Sequence, residues 1–128
     1  MSLGFGGICR KFEEDNFCVI YEYAAYNLED SQFLRVKYLF DGNILISKNC
    51  LMEPEFSRLS KKKRRNFKLA KIPLDEFLKS GEVQIENCRY AFKFLPDGTD
   101  LIAYNLCWQL LVIQQIKGEL PPQHSFYI

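Results

Sequence analysis

Residues 101–117 constrain the fold more than any other stretch of this chain. From Leu101 to Lys117 there is neither proline nor glycine, Gly118 follows at once, and Pro121-Pro122 lie just beyond. Upstream, Asp97-Gly98-Thr99-Asp100 offers a cap whose fourth residue can reach back to the cap N–H in the manner of a capping box. The pattern predicts a terminated helix. Stepping about 100° per residue from Asn105 puts Gln109, Lys117, Gln114 and Gln115 near about 40°, 120°, 180° and 280°, so the polar residues do not gather on one face. A helix apolar nearly all round is buried on more than one side, by a sheet of its own chain and by something further. A second copy is one candidate, with Trp108 and Leu111 as contacts of a homodimer. The run is too short and too rich in amides to cross a membrane, which takes about 20 predominantly apolar residues.

The stretches that could supply the sheet follow strand chemistry. Phe17–Tyr26 is rich in aromatic and β-branched residues, is bounded by Asp15-Asn16 and Asn27, and is apolar on both parities. It reads as a central strand covered on both sides, with Gly7–Glu13 before it and Glu14-Asp15-Asn16 as the turn. Phe33–Phe40 alternates, and Asp41-Gly42 leads into Asn43–Lys48, the composition of a type I′ hairpin. Pro54, Phe56 and Leu59 suggest a short helix over about 54–64, and Phe67–Ile72 a strand. Pro73–Gly81 has proline first, acids in the first turn, lysine late and glycine as stop, a second helix signature. Glu82–Glu86 and Arg89–Phe94 read as further strands. The expected fold class is α+β: a mostly antiparallel sheet of about four to six strands built from hairpins, a long C-terminal helix packed on it, and one or two short helices. One globular domain over 1–128 is expected, with loosely held ends at about 1–6 and 119–128.

Aromatic content excludes disorder as the main state, since 11 Phe, 7 Tyr and 1 Trp among 128 residues supply ample burial. Five cysteines at 9, 18, 50, 88 and 107 are odd in number, widely spaced and free of any CxxC, so neither a disulfide scaffold nor a zinc motif fits. They read as reduced thiols, and the N-terminal stretch has no basic-then-apolar signal pattern. Both point to the cytoplasm.

The net charge of +1 conceals a segregation. Residues 58–71 hold eight Lys and Arg and no acid, which leaves nine basic against sixteen acidic residues elsewhere. Arg58, Lys61, Lys62, Lys63, Arg64, Arg65 and Lys68 form a candidate patch for nucleic acid, another polyanion or an acidic protein surface, with Phe67 placed to stack on a base. No RNP, KH or helix-turn-helix pattern accompanies it, and a solvated, charge-balancing segment is the first reading.

Catalytic signatures are absent. His124 is the sole histidine and lies in a proline-preceded tail, and the carboxylates fall in turns, caps and first helical turns. Gly4-Phe5-Gly6-Gly7 reads as a flexible lead, because phosphate loops follow a strand and open a helix. Glu22, mid-strand among apolar neighbours, is expected to be exposed or paired with a basic side chain. Tyr21, Tyr23, Tyr26, Tyr38 and Phe40 read first as core. No catalytic, cofactor-binding or metal-ligating residue is assigned. The expected function is a small cytoplasmic protein-binding or regulatory module, adaptor-like or immunity-like, whose partner is another protein or a second copy. Nucleic-acid binding through 58–71 is the alternative.

Overall fold

The computed structural model describes residues 4–27, 39–51, 71–89 and 91–127. Among these, five strands make one antiparallel sheet in the order β4-β3-β2-β1-β5: β1 Phe5–Glu14, β2 Cys18–Asn27, β3 Gly42–Ser47, β4 Val83–Glu86 and β5 Gln123–Tyr127. Two α-helices accompany it, α1 over Leu74–Ser80 and α2 over Leu101–Lys117, together with a 3₁₀ turn at Lys48–Cys50. The architecture is the expected α+β class. The sequence candidates at 33–38, 54–64 and 67–70 lie outside the described residues.

The β1–β2 hairpin closes where turn chemistry placed it. Asp15 Oδ1 accepts from the backbone N–H groups of Phe17 and Cys18 at 2.7 and 2.8 Å, an Asx turn that also holds the Asp15 carboxyl below its usual range. β2 then runs through the middle of the sheet. Its Val19, Tyr21, Tyr23 and Ala25 are buried under α2 with Cys9, Ile44, Ile46 and Val83. The opposite face of β2 is covered only in part: Ala24 is buried, whereas Ile20, Glu22 and Tyr26 are half-buried.

α2 sits on this sheet with Ile102, Leu106, Cys107 and Leu110 fully buried. Its cap is Asp100 itself, whose Oδ1 accepts from Ile102 N–H at 2.9 Å, while Asp97 caps its own turn through Thr99 N–H. The four-residue box gives way to a one-residue cap because the helix begins at Leu101. Gly4-Phe5-Gly6-Gly7 is no flexible lead either. Phe5 to Gly7 are buried in β1, and a Cβ on Gly7 would stand 2.4 Å from Ile102 Cγ2. The missing side chain is what allows α2 to lie on the β1 backbone.

Three other expectations are corrected. β3 has β2 on one side and β4 on the other, so Asp41-Gly42 does not join it to a strand at 33–40. Gly42 is not among the positive-φ glycines that a type I′ turn demands. It is glycine because a Cβ there would fall 2.2 Å from the Tyr23 ring. Arg89–Phe94 forms no strand among its described residues: Phe94 makes a single bridge to Asp100, and Phe92 instead meets Phe5 edge to face at 5.5 Å. Finally, residues 119–127 of the expected loose end are not loose. Leu120 is buried, β5 pairs with β1, and the hydroxyls of Tyr21 and Tyr26 donate to the carbonyls of Pro121 and Phe126.

Gly42→Ala drives a methyl group into the Tyr23 ring with no void to receive it. Urea denaturation is expected to show a loss of about 1–3 kcal/mol, the range for overpacked cores.

Candidate interaction surface

The chemistry-bearing groups divide between a closed interior and two outer surfaces. Inside, Asp100 and Tyr23 are both fully buried and joined by a hydrogen bond from Tyr23 Oη to Asp100 Oδ2 at 2.6 Å. Tyr23 Oη in turn accepts from Cys88 N–H at 2.9 Å, and the Cys88 thiol lies 3.9 Å from Asp100 Oδ2. Asn87 completes the cluster, accepting from Asp100 N–H and donating to the Gly98 carbonyl, both at 2.9 Å. Burial raises the Asp100 carboxyl above its usual range, with the hydrogen bonds from Tyr23 and Ile102 pulling the other way. Burial and the adjacent Asp100 raise the Tyr23 phenol. This cluster fastens β2, the Cys88 segment and the start of α2 to one point. Tyr23, Cys88 and Asp100 are buried, with Asn87 at the exposed edge, and their polar groups are turned on one another.

The thiols follow the same rule. All five are unpaired, and burial raises every one, Cys9 to about 12 and Cys50 to about 11. They stand protonated near neutral pH, the opposite of what a nucleophilic cysteine needs. His124 is not an incidental tail residue. It lies on β5 opposite Cys9, half-buried, with Nε2 bonded to Gln109 Oε1, and burial lowers its pKa. Among the described residues no group of three or more potential ligands could hold a metal.

A cleft of about 470 Å³ opens between α1, β4 and the 95–99 loop. Three of its polar groups are already engaged: Asp75 accepts from Tyr104 Oη, Asp97 from Thr99 N–H, and Gln84 donates to the Gly81 carbonyl.

The face of the sheet opposite α2, which carries no helix among the described residues, is different in kind. A bulge between Lys11 and Glu13 inserts Phe12 into β1, and its ring is 66 % exposed. Phe12 lines a groove of about 270 Å³ with Ile20, Leu45, Asn43, Gln84 and Glu86. Ile20 and Leu45 are cross-strand partners, and Asn43 donates to Glu86 Oε2 at 3.2 Å along the rim. Beside the groove, Glu22 forms an ion pair with its cross-strand partner Arg10, whose guanidinium lies 4.0 Å from the centre of the Phe40 ring. That is the pairing expected for a mid-strand carboxylate among apolar neighbours.

The two proposed dimer contacts separate. Trp108 is 46 % exposed on the outside of α2, but Leu111 is 3 % exposed and belongs to the core, so it offers no contact surface. The reason is angular: Leu111 follows Leu110 onto the buried arc, while Trp108 stands one turn after Tyr104, on the flank that meets α1 through Asp75. Arg58, Lys61, Lys62, Lys63, Arg64, Arg65 and Lys68 lie outside the described residues. Of the core aromatics, Tyr21 and Tyr23 are fully buried, Tyr26 and Phe40 half-buried, and Tyr38 outside the described residues. Among the described residues no helix is long and apolar enough to cross a membrane. No protein-family model, curated protein or solved structure matches the chain.

The sequence did not reveal the Tyr23–Asp100 cluster or the groove. A cap-forming Asp at the start of an apolar helix, and a tyrosine on the buried parity of a central strand, were the signals for the first. The second depended on a bulge that alternation cannot show.

Because the folded state raises the Asp100 pKa, it holds the proton more tightly than the unfolded chain. That contribution is fully present below the ordinary value of 3.8 and is lost as pH rises through the folded pKa. Asp100→Asn keeps the cap and removes the titration. Denaturation from pH 3.5 upwards is expected to show a pH-dependent stability loss in the wild type that is absent at this site in Asp100→Asn. Asp100→Ala instead strands the Tyr23 hydroxyl and Ile102 N–H and costs about 2–4 kcal/mol at neutral pH.

Proposed function

We propose that this chain is a non-enzymatic protein-binding or regulatory module, adaptor-like or immunity-like, and that its partner docks on the face of the sheet opposite α2. The observation that supports this reading most is the groove around Phe12, where three neighbouring apolar side chains, Phe12, Ile20 and Leu45, line one recess on a sheet face that α2 does not cover. Grouped apolar residues with a polar rim are what protein interfaces use. The rim, with Glu86 and the Arg10–Glu22 pair nearby, suits a partner that inserts an apolar side chain flanked by a lysine or arginine. Five unpaired thiols favour a reducing compartment, and the cytoplasm is the location we infer. Thiols held protonated, a histidine tied to Gln109 and engaged carboxylates in the α1–β4 cleft all weigh toward binding rather than catalysis.

Charge segregation supports a second reading. The eight basic residues of 58–71, set against an acidic remainder, would hold nucleic acid by phosphate contacts whose strength falls steeply with salt.

One pull-down separates the readings. Wild type immobilised and exposed to cytoplasm of its source cell, with and without nuclease, is expected to retain a protein partner in both cases. Phe12→Asp, a change at an exposed position, is expected to lose it with an unchanged circular dichroism spectrum. Retention by Phe12→Asp overturns the docking face. Loss on nuclease treatment, or in a variant with Lys62, Lys63, Arg64 and Arg65 all changed to Ala, moves the assignment to nucleic acid.

A further inference from the structure

Among the described residues, the outer edge of β5 has no strand beside it. The Lys11 N–H donates to the Pro122 carbonyl at 2.8 Å, which fixes the parity of the β1–β5 ladder. His124 and Phe126 therefore turn their backbone groups toward β1, while Gln123, Ser125 and Tyr127 turn theirs outward. Gln123 and Ser125 are exposed, and among the described residues no strand lies beyond β5. At the opposite edge, the outward-turned Val83 of β4 is buried and Ile85, of the same parity, is half-buried. Proteins blunt open edges with charges, prolines or bulges, and Gln123-His124-Ser125-Phe126-Tyr127 has none of these within it.

We infer that β5 pairs with β5 of a second copy of this chain, antiparallel about a two-fold axis at Ser125, to make one continuous sheet. This surface is independent of the groove around Phe12. The pairing sets Ser125 opposite Ser125 of the partner subunit and Gln123 opposite Tyr127 of the partner subunit, so every outward backbone group gains a partner. His124 then stands across from Phe126 of the partner subunit. A strand paired with itself in this way brings like charges together if it carries them, and β5 has no Lys, Arg, Asp or Glu, while burial lowers the pKa of His124. Such a pairing keeps both α2 helices on the same face of the sheet. Gln109, bonded to His124, marks the flank of α2 that overhangs β5, and the half-buried Ile113 and Ile116 follow it at i+4 and i+7. That apolar flank extends the contact beyond the five-residue strands. Trp108 stands on the other flank and takes no part.

Light scattering on a sizing column, over a dilution series, reads this directly. Wild type is expected at twice 15.1 kDa. Ser125→Pro removes an N–H that β1 does not use, and is expected at the single mass with an unchanged circular dichroism spectrum. Should the proline unfold the chain, Ser125→Lys decides: it sets two ammonium groups together at the axis, and its monomer should return toward dimer as salt is raised. Trp108→Ala is expected to stay dimeric. A wild type of single mass at every concentration overturns the inference. So does a dimer that survives Ser125→Lys at low salt, or one lost in Trp108→Ala.

Discussion

The hydroxyl of Tyr23 and the carboxylate of Asp100, 2.6 Å apart and shut off from water, tie the middle of the sheet to the first residue of its helix. A carboxylate buried without partners costs several kcal/mol, so its tenure here depends on the donors gathered around it. Ile102 N–H, Tyr23 Oη and the Cys88 thiol supply them. The same cluster explains features that look unrelated. Gly42 is bare because the Tyr23 ring fills the space above it, and the Cys88 segment is held against the sheet because its N–H donates to the Tyr23 oxygen.

With the interior closed in this way, the surfaces carry the distinguishing chemistry. α2 is apolar nearly all round, yet it is explained without a partner over most of its girth: the sheet covers one arc, and the flank at Tyr104 meets α1. What remains unexplained by the fold is the recess around Phe12 on one face and the unblunted edge of β5. Each is a different kind of incompleteness. The first lacks apolar contact, and the second has no neighbouring strand among the described residues for an ordered row of backbone groups.

Local chemistry was legible where its consequences were local. Asp15 forms its turn within three residues, Pro73 and Gly81 bracket α1, and Asp100 and Gly118 bracket α2. Reading failed where a residue answers to something distant in the chain. Asp41-Gly42 has the composition of a hairpin, but Gly42 is fitted to a ring on β2. Pro121-Pro122 reads as the start of a loose tail, but Tyr21 reaches the Pro121 carbonyl from a hundred positions away. Gly7 reads as part of a flexible lead, and is instead the floor beneath α2. Glycine is ambiguous in sequence for a physical reason: the same missing Cβ serves a turn, a loose lead or a close contact.

The sequence by itself determined the α+β class, the limits of both described helices, the central strand and the first hairpin turn. Capping, turn formation and side-chain periodicity act over a few residues, so their outcome is written within the segment concerned. Tertiary structure alone decided the strand order, the capture of residues 123–127 as an edge strand, the burial of Leu111 and the meeting of Tyr23 with Asp100. Those depend on which surfaces can bury each other and on which buried polar atoms find partners, and both are settled only when the whole chain closes around one core.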